Sequence, residues 1–490
     1  MLVYRVAPVL GKIVLVFVLS LLVPLTLSMV LDDGATSAYA ITMGVCVLVG
    51  LALLLLGRRG VRADELKSRD GILLVGLVWT LLPLIACLPF LLHFAQTPQP
   101  LSFSGAYFEA MSALTTTGST VIVGLDHLPA SINLWRCFLQ WLGGMGILVL
   151  AVALLPMLGV GGSQLFRAEA TGPMKDSKLT PRITETAKGL WTVYCLLSVA
   201  CLLAYRWGGM TWMDAWAHMF TTLSLGGLST HDASFGFFNS PTLEWIAIVF
   251  MLLASCNFAL YFVALVKRQP LKVLRDPEWR ASIGLLVGVS LLIAALLWFK
   301  GHPADLADII RMSLFNVISI GSTTGYATVD YTQWPVFAPI VMLILSGIAT
   351  SAGSTGAGIK MSRLVILLKQ ARREMRGIIH PRAVQPVTLA GHPVDNRTIF
   401  SVLGFMLMYG GTIIVLTLLL LLTDMPFETA FSAVVASVNN MGPGLNEVGP
   451  SGNYASLSAT QLWICTLAML LGRLEILSFL VILTPGFWRK

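Results

Sequence analysis

Charged side chains are scarce in this sequence. Asp, Glu, Lys and Arg supply 11% of its 490 residues, whereas a typical soluble domain contains about 25%. Hydrophobic residues make up 56% of the chain, and the mean hydropathy is +0.81. This composition excludes an ordinary soluble protein and predicts a polytopic membrane protein. The net charge of +8 then indicates cytoplasmic loops rich in Lys and Arg rather than a surface that binds nucleic acid.

Motifs that carry chemistry are also missing. The seven cysteines are scattered through apolar segments without a CxxC pair or a Cys/His cluster, so we expect them to be small buried hydrophobic residues. No paired carboxylates, HExxH motif or Ser/His/Asp set stands in a placement that could do chemistry. These absences argue against a membrane enzyme, a cofactor held by this chain and a transition-metal site.

A long internal repeat is present instead. Four six-residue stretches have glycine at the fourth position, and neighbouring glycines are 98 to 117 residues apart. The residues upstream align without gaps, with a large apolar residue fifteen and eleven positions before each glycine. Each block therefore predicts a short apolar helix that runs into a glycine turn. We call the four stretches turns 1 to 4, at residues 115–120, 224–229, 322–327 and 439–444.

A turn of this kind suits a cation. Glycine adopts positive φ at little cost, which lets backbone carbonyls face a common axis, and rings of carbonyl oxygens replace the hydration shell of a cation. The negative C-terminal end of each short helix favours a cation at the same place. One such turn alone would be an ordinary helix C-cap, but four gapless copies favour a selectivity filter. Its expected cation-binding residues are Thr116, Thr117, Gly118, Leu225, Gly226, Gly227, Thr323, Thr324, Gly325, Asn440, Met441 and Gly442.

The apolar segments predict an all-α membrane protein in which two leading helices precede four helix–short helix–helix repeats, arranged pseudo-fourfold around one pore. The short helices cannot cross a bilayer, which takes about 20 residues, so they re-enter from outside; they are expected at 103–114, 212–223, 306–320 and 427–438. Basic linkers place both termini in the cytoplasm. The predicted units are 1–70 for the leading helices and their linker, then 71–187, 188–280, 281–397 and 398–490 for repeats 1 to 4.

Several polar residues fall near apolar spans. Arg136, Arg206 and Lys300 lie close to outer helix ends, where long basic side chains can snorkel to the membrane surface. His218 belongs to the second short helix, and we expect it to be packed and hydrogen-bonded, because a metal site needs several convergent ligands.

The third repeat contains a polar interruption. Its returning helix is apolar over 335–348, then small and polar over 349–358, before a basic helix restarts. The pattern Gly353-x-x-Gly356-x-Gly358 could be mistaken for a nucleotide-binding loop, but it follows no strand and sits inside a membrane span, which excludes that function. A seam of small residues that lets helices pack closely is an alternative interpretation.

Two charges lie within the last predicted helix, which covers 458–485. Arg473 and Glu475 are functional candidates, because an intramembrane charge costs at least about 2.5 kcal/mol. Standing two positions apart, they do not share a helix face, so Glu475 is expected to pair with a basic group elsewhere. A structural tether between helices is the alternative role for Arg473.

Further motifs lie in and before the second cytoplasmic linker. They are Gln140-Trp141-Leu142-Gly143-Gly144-Met145-Gly146-Ile147, Leu165-Phe166-Arg167-Ala168-Glu169, Gly172-Pro173, Leu179-Thr180-Pro181-Arg182-Ile183 and Thr186-Ala187-Lys188. With the four turns, these motifs resemble the TrkH potassium uptake subunits of the Trk/Ktr/HKT cation transporter superfamily, over nearly the whole chain. The resemblance implies potassium uptake through a channel-like pore, with the polar interruption acting as an intramembrane gate below the filter. The gate residues that it implies are Gly353, Gly356, Gly358, Lys360 and Arg473.

The resemblance also implies an ion and partners. In the related plant transporters, serine in place of the glycine of the first turn goes with sodium preference, so Gly118 implies potassium. Only turn 3 resembles the Thr-Val-Gly-Tyr-Gly filter of tetrameric potassium channels, which suggests fewer good carbonyl sites in the other turns. TrkH-like subunits form homodimers in the bacterial cytoplasmic membrane, among its lipids, and sit on a cytosolic ring of nucleotide-binding TrkA subunits. Symport with H⁺ or Na⁺ is the alternative mechanism, although carriers usually show acidic residues or His chains within their spans.

Overall fold

The computed structural model describes residues 2–58, 68–154, 183–269, 271–382, 385–389 and 392–489, and its regular structure there is almost entirely α-helical. A small antiparallel sheet pairs Thr388–Leu389 with His392–Pro393. Most of the first basic linker and the linker motifs between 165 and 182 lie outside the described residues. Predictions that concern those motifs therefore stay predictions.

Long apolar helices dominate the described ranges. Six helical segments are long and apolar enough to cross a membrane, or seven if one bent pair counts as a single span. A bilayer core offers no water, and a helix satisfies its backbone polar groups within one segment. The expectation of a multi-pass helical protein is confirmed. The α-helices run Leu2–Leu31, Thr36–Arg58, Ser68–Ala86, Leu88–Phe94, Phe103–Leu114, Ala130–Leu154, Ile183–Trp207, Trp212–Leu223, Pro241–Ala254, Phe258–Val266, Leu271–Arg275, Pro277–Phe299, Leu306–Gly321, Phe337–Ile348, Met361–Ile379, Asn396–Leu421, Phe427–Val438, Ala459–Arg473, Leu477–Ile482 and Pro485–Trp488.

The two leading helices dock on the first repeat. Aromatic rings of Phe17 and Tyr39 pack against Trp135, with centroids 5.9 and 6.4 Å away. The Asp33 carboxylate, in the loop between the leading helices, accepts a hydrogen bond from the backbone N–H of Ser131 at 2.9 Å. Ser131 lies in the first turn of the helix Ala130–Leu154, where a negative charge is stabilised by the helix dipole.

The four short helices agree with their predicted bounds to within a residue: Phe103–Leu114, Trp212–Leu223, Leu306–Gly321 and Phe427–Val438. The first two begin at hydroxyl N-caps, because Ser102 and Thr211 each accept a hydrogen bond from the backbone N–H three residues later. Their last turns are buried by the surrounding long helices. Each short helix therefore delivers its C-terminal end, and the turn that follows it, into the protein interior.

The predicted span 242–266 is wrong as a single helix. It consists of Pro241–Ala254 and Phe258–Val266, which are bent by 87° at the break between them. The Asn257 side chain caps the second piece by accepting from Ala259 N at 2.9 Å. Phe258 N donates to the carbonyl of Gly353 at 3.1 Å. The helix breaks because the polar interruption of repeat 3 supplies a partner for its backbone.

The predicted last helix, 458–485, is also broken. It ends at Arg473, and Glu475 and Ile476 adopt positive φ of 54° and 38° before a new helix starts at Leu477. This backbone is sparsely populated for a β-branched residue. The Glu475 carboxylate contacts Lys360, which lies at the end of the polar interruption, so the break again coincides with a contact to that segment.

Candidate functional site

All four turns have the same backbone conformation. The first residue of each turn has φ between −78° and −82°. The second and fourth residues have positive φ, with values of 49–66° at the second position and 70–98° at the fourth. The fourth residues are the predicted glycines. The second residues are Thr116, Leu225, Thr323 and Asn440, whose left-handed backbone the sequence did not predict.

Hydrogen bonds explain the second position. In each turn the third residue donates its N–H to the carbonyl five residues back, at 2.8–2.9 Å, which is the hydrogen bond of a Schellman cap. The left-handed residue of that cap is the second one. Helix capping therefore accounts for the second position and leaves the glycine, two residues later, with a different role. The four donor–acceptor pairs are Thr117 to Ser112, Gly226 to Thr221, Thr324 to Ser319 and Met441 to Ala436.

The glycines pack against the neighbouring turn. A Cβ atom at Gly118, Gly227 or Gly325 would overlap the carbonyl oxygen of the third residue of the next turn, and one at Gly442 would stand 2.8 Å from such an oxygen. A side chain at any of these positions would push two turns apart. The contacts close a ring in the order of turns 1, 2, 3, 4 and 1. The pairs are Gly118 with Gly226, Gly227 with Thr324, Gly325 with Met441, and Gly442 with Thr117.

All four glycines line one pocket that opens to the protein surface. The structure thus brings the four predicted turns together, although they are far apart in sequence. Side chains behind the turns hold them in place: Asn440 Nδ2 donates to Thr117 Oγ1 at 2.9 Å, and Tyr409 OH donates to Asn439 Oδ1. Tyr326 OH lies 3.1 Å from Thr222 Oγ1. Buried polar networks that are hydrogen-bonded in this way rigidify a site.

Among the carbonyls of the third and fourth residues of the turns, those of Gly226 and Gly442 already accept hydrogen bonds. Gln140 Nε2 donates to Gly226 O at 2.7 Å. Ser119 Oγ and Tyr454 OH both donate to Gly442 O at 3.0 Å. A carbonyl that serves a donor has less capacity left for a cation. In turn 3 the carbonyls of Tyr326 and Ala327 also accept hydrogen bonds, from Ser319 Oγ and Gly236 N, so the expectation of fewer good carbonyl sites outside turn 3 stays a prediction.

The polar interruption lies directly against the end of the second short helix and against turn 3. Thr355 Oγ1 donates to the carbonyl of Leu223, the last residue of the second short helix, at 3.1 Å. A Cβ atom at Gly356 would stand 3.2 Å from Thr323 Oγ1 of turn 3. The segment 349–360, which we call the inner loop, is therefore placed where the short helices end.

Three further predicted gate residues, Gly353, Gly358 and Lys360, belong to the same loop. Gly353 packs against the Asn257 side chain, and Gly358, at φ +87°, packs against the carbonyl of Gly347. Lys360, with φ of 74°, immediately precedes the helix Met361–Ile379.

Arg473 joins the inner loop to two long helices. Its side chain is buried, and its Nη1 donates to the carbonyl of Thr355 at 2.9 Å while Nη2 donates to that of Gly143 at 3.1 Å. Gly143 belongs to the Gly-rich motif at residues 140–147. One guanidinium thus links the helix Ala459–Arg473, the inner loop and the first repeat.

Glu475 has the basic partners that the sequence predicted. Its two carboxylate oxygens each lie 3.0 Å from a cation, Oε1 from Lys360 Nζ and Oε2 from Arg363 Nη2. The expectation that Glu475 pairs away from Arg473 is confirmed. Lys360 ends the inner loop and Arg363 follows it by three residues. Arg473, the last residue of its helix, and Glu475, which follows that helix, therefore hold the loop at two points.

The expectation that Arg136 snorkels is wrong. Both Arg136 and Glu109 are 0% exposed, and Arg136 Nε lies 2.7 Å from Glu109 Oε1. The sequence missed the pair because Glu109 is a single carboxylate in an otherwise apolar short helix, with its partner on another element. Arg206 is exposed at a helix end, with its guanidinium over the Trp212 ring, and Lys300 is exposed as well.

His218 is packed as predicted. Its Nδ1 lies 2.9 Å from the carbonyl of Asp214 and its Nε2 lies 3.0 Å from Ser229 Oγ. Within the described ranges, no group of three or more His, Cys, Asp or Glu side chains is placed to hold a metal ion.

His231 sits between two carboxylates at the rim of the cavity. Nδ1 contacts Asp126, and Nε2 lies 3.2 Å from Asp214. Partial burial disfavours the protonated ring, but the hydrogen bonds and negative charges of these two carboxylates outweigh that effect and raise the pKa of His231 above its ordinary value of 6.5. The protonated ring thus fastens the loop after turn 1 to repeat 2.

We expect His231→Gln to lower the melting temperature by about 2 °C at pH 6. Because the folded-state pKa is raised, the stabilisation is complete below the ordinary pKa and is lost as the pH rises through the raised one. Thermal unfolding in detergent from pH 6 to pH 9 measures the difference. His127→Gln, at an exposed neighbour, is the control. A difference between parent and His231→Gln that does not change with pH would contradict the assignment.

Comparisons with known proteins agree on one family. The family model described as "TrkH: Cation transport protein" matches residues 35–301 and 301–486. The chain is 43% identical over 483 residues to the "Trk system potassium uptake protein TrkH" of Salmonella typhimurium, with 98% of each chain covered. It is 44% identical over 488 residues to the protein of the same name from Vibrio parahaemolyticus, again with 98% of each covered. A solved structure, "Crystal Structure of the Potassium Transporter TrkH from Vibrio parahaemolyticus", superposes with a TM-score of 0.91 at 41% identity and full coverage of both chains.

Proposed function

This chain belongs to the TrkH family of cation transport proteins, and we propose on that basis that it takes up K⁺ through a pore built from its four turns. The observation that carries the proposal is the closed ring of contacts between the glycines and the third-position carbonyls. Four helix–short helix–helix repeats then surround one axis in a pseudo-fourfold arrangement, with the two leading helices at the side of repeat 1.

The turns bind the ion through backbone oxygens. The left-handed second and fourth residues direct backbone carbonyls of each turn toward the axis, where these oxygens replace water around a dehydrated cation. The four short helices direct their negative ends to the same place. K⁺ is the preferred ion, because all four copies keep the glycine that allows the turns to approach closely. The carbonyls of Gly226 and Gly442 already accept hydrogen bonds, which reduces the number of strong sites. We therefore expect fewer ion sites than in a filter of four identical turns.

The inner loop and Arg473 form the gate. The loop contacts both the end of the second short helix and turn 3, and these contacts support a position across the path below the filter. Arg473 fastens it through the carbonyl of Thr355, and a positive charge beside the path also opposes a passing cation. Opening requires these contacts to be released, and we propose that a cytosolic partner does this.

The membrane and partners follow from the family. The relatives are named as components of a "Trk system", and we propose a homodimer in the bacterial cytoplasmic membrane, bound to a cytosolic nucleotide-binding ring of the TrkA type. Basic linkers lie on the cytoplasmic side with both termini. The transported K⁺ is a substrate, and we expect no cofactor in this chain and no catalytic residues.

Uptake of ⁸⁶Rb⁺ into liposomes that contain the purified protein tests this function. We expect uptake that excess K⁺ suppresses and excess Na⁺ suppresses much less, in the absence of any sodium or pH gradient. Uptake that requires an imposed Na⁺ or H⁺ gradient would favour the alternative of a coupled symporter. Absence of K⁺-sensitive uptake, with or without these gradients, would contradict both.

A further inference from the structure

The fully buried pair of Arg136 and Glu109 adjoins the filter. Glu109 lies on the first short helix, Phe103–Leu114, and Arg136 on the returning helix of the same repeat, Ala130–Leu154. Their side chains are 0% exposed and 2.7 Å apart. Arg136 is nevertheless part of the wall of the cavity that the four filter glycines line, so a buried charge stands beside the proposed outer mouth.

Glu109 holds the backbone that leaves turn 1. Thr120 Oγ1 donates to both carboxylate oxygens at 3.0 Å, and Val121 N donates to Oε2 at 3.0 Å. Arg136 Nη2 donates to the same Thr120 hydroxyl at 3.0 Å. These contacts fix the residues that start two positions after Gly118.

Arg136 also reaches turn 2. Its Nη1 donates to the carbonyl of Ser229, two positions after Gly227, at 3.2 Å. Gln140, four residues later on the same helix face, donates to Gly226 O at 2.7 Å. The helix Ala130–Leu154 therefore contacts turn 2 through both Arg136 and Gln140. The Arg136 guanidinium also connects the last residues of turns 1 and 2.

Neutral groups make the corresponding contacts at two other junctions. Between turns 4 and 1, Ser119 Oγ donates to Gly442 O at 3.0 Å and Tyr454 N to Thr120 O at 2.9 Å. Between turns 2 and 3, Gly236 N donates to Ala327 O at 3.1 Å. The junction of turns 1 and 2 differs from these two junctions because it carries a charged guanidinium. A positive charge at the mouth of a pore for cations opposes conduction unless an anion neutralises it.

We propose that the Arg136–Glu109 pair is a positioning element of the filter with two separate duties. Glu109 neutralises the guanidinium so that it does not repel ions entering from outside. The planar, multiply bonded guanidinium of Arg136 sets the spacing between turns 1 and 2 and thereby the preference for K⁺ over Na⁺. This inference rests on the proposed K⁺ pore.

Two single variants separate these duties. Glu109→Gln keeps the size of the side chain but removes its charge and replaces one acceptor oxygen by an NH₂ donor, so we expect the ⁸⁶Rb⁺ uptake rate to fall about tenfold or more with little change in ion preference. Arg136→Lys keeps the charge but loses the fork of donors, so we expect Na⁺ to compete about tenfold better with Rb⁺ at a nearly parental rate. The double variant Glu109→Gln/Arg136→Gln restores neutrality and should regain much of the lost rate.

A matched control comes from the third short helix. Arg311 Nε pairs with Glu244 at 2.9 Å, with 21% and 10% of the two side chains exposed. None of the contacts described for the four turns involves this pair. Arg311→Gln should leave both uptake rate and ion preference unchanged.

The measurements are ⁸⁶Rb⁺ uptake into liposomes with K⁺ and Na⁺ competition, normalised to correctly assembled protein, together with the melting temperature of each variant. Lower melting temperatures with parental rate and parental preference in all three variants would make the pair a stability element and overturn the inference. If Glu109→Gln does not assemble, the preference of Arg136→Lys decides, because that variant retains the charge balance. Absence of uptake in the parent and in Arg311→Gln would refute the pore itself.

Discussion

We expect Arg473→Ala to raise ⁸⁶Rb⁺ uptake about tenfold or more while leaving ion preference unchanged, because it removes the hydrogen bond that fastens the inner loop. The parent side chain donates to the carbonyls of Thr355 and Gly143. A charge-assisted hydrogen bond of this kind contributes about 1.5–3 kcal/mol, which is enough to move a closed pore toward the open state by that factor. Loss of the positive charge beside the path acts in the same direction.

Uptake into liposomes measures this effect, with Arg206→Ala as the control. Arg206 is also an arginine at a helix end, but it is exposed and lies over the Trp212 ring, so its removal should leave uptake at the parental rate. Deleting residues within 349–358 should raise uptake as Arg473→Ala does. If both gate variants reach the membrane and conduct no faster than the parent, the inner loop is a packing element and Arg473 is a tether.

We expect Gly118→Ser to raise Na⁺ permeation relative to Rb⁺ by about tenfold, which corresponds to a change of about 1.4 kcal/mol in discrimination. Gly118 has φ of +88°, and a Cβ atom there would overlap the carbonyl oxygen of Gly226. Serine must therefore displace turn 2 or rotate its carbonyl, and either movement spoils the spacing of the ring. Relative permeability in liposomes measures the change.

Gly124→Ser is a matched control for this variant. Gly124 has φ of +77°, yet nothing lies within 4 Å of a Cβ atom placed there. It imposes the same kind of backbone strain on serine without a clash between turns. We expect Gly124→Ser to keep parental selectivity. Equal selectivity of Gly118→Ser and the parent would remove Gly118 from the filter.

Local patterns predicted the parts of the fold that depend on local chemistry. The short helices were predictable because apolar stretches of about a dozen residues run into glycine, as at Gly118 and Gly442. The polar interruption was also visible, since ten consecutive small residues, four of them Ser or Thr, stand out in an apolar span. Glu475 could be assigned basic partners because an unpaired charge in a membrane is costly.

The remaining features depend on residues that are distant in sequence. The helix break before Phe258 exists because its N–H donates to Gly353, and no local signal marks that partner. Thr116 and Leu225 occupy left-handed backbone that their residue types disfavour, so residue type does not predict the helix cap that they form. Arg136 looked like a snorkelling residue because its position near a helix end is visible in the sequence, whereas the buried Glu109 beside it is not.

The position of the bound ion tests the central claim most directly. Crystals of the protein grown or soaked in Rb⁺ allow the ion to be located by its anomalous scattering. The claim predicts a peak on the axis between turns 1 to 4, within coordinating distance of third-position carbonyls such as those of Thr117, Thr324 and Met441, and loss of that peak when Na⁺ replaces Rb⁺. Well-ordered turns with no Rb⁺ between them, or Rb⁺ bound only elsewhere in the protein, would contradict it.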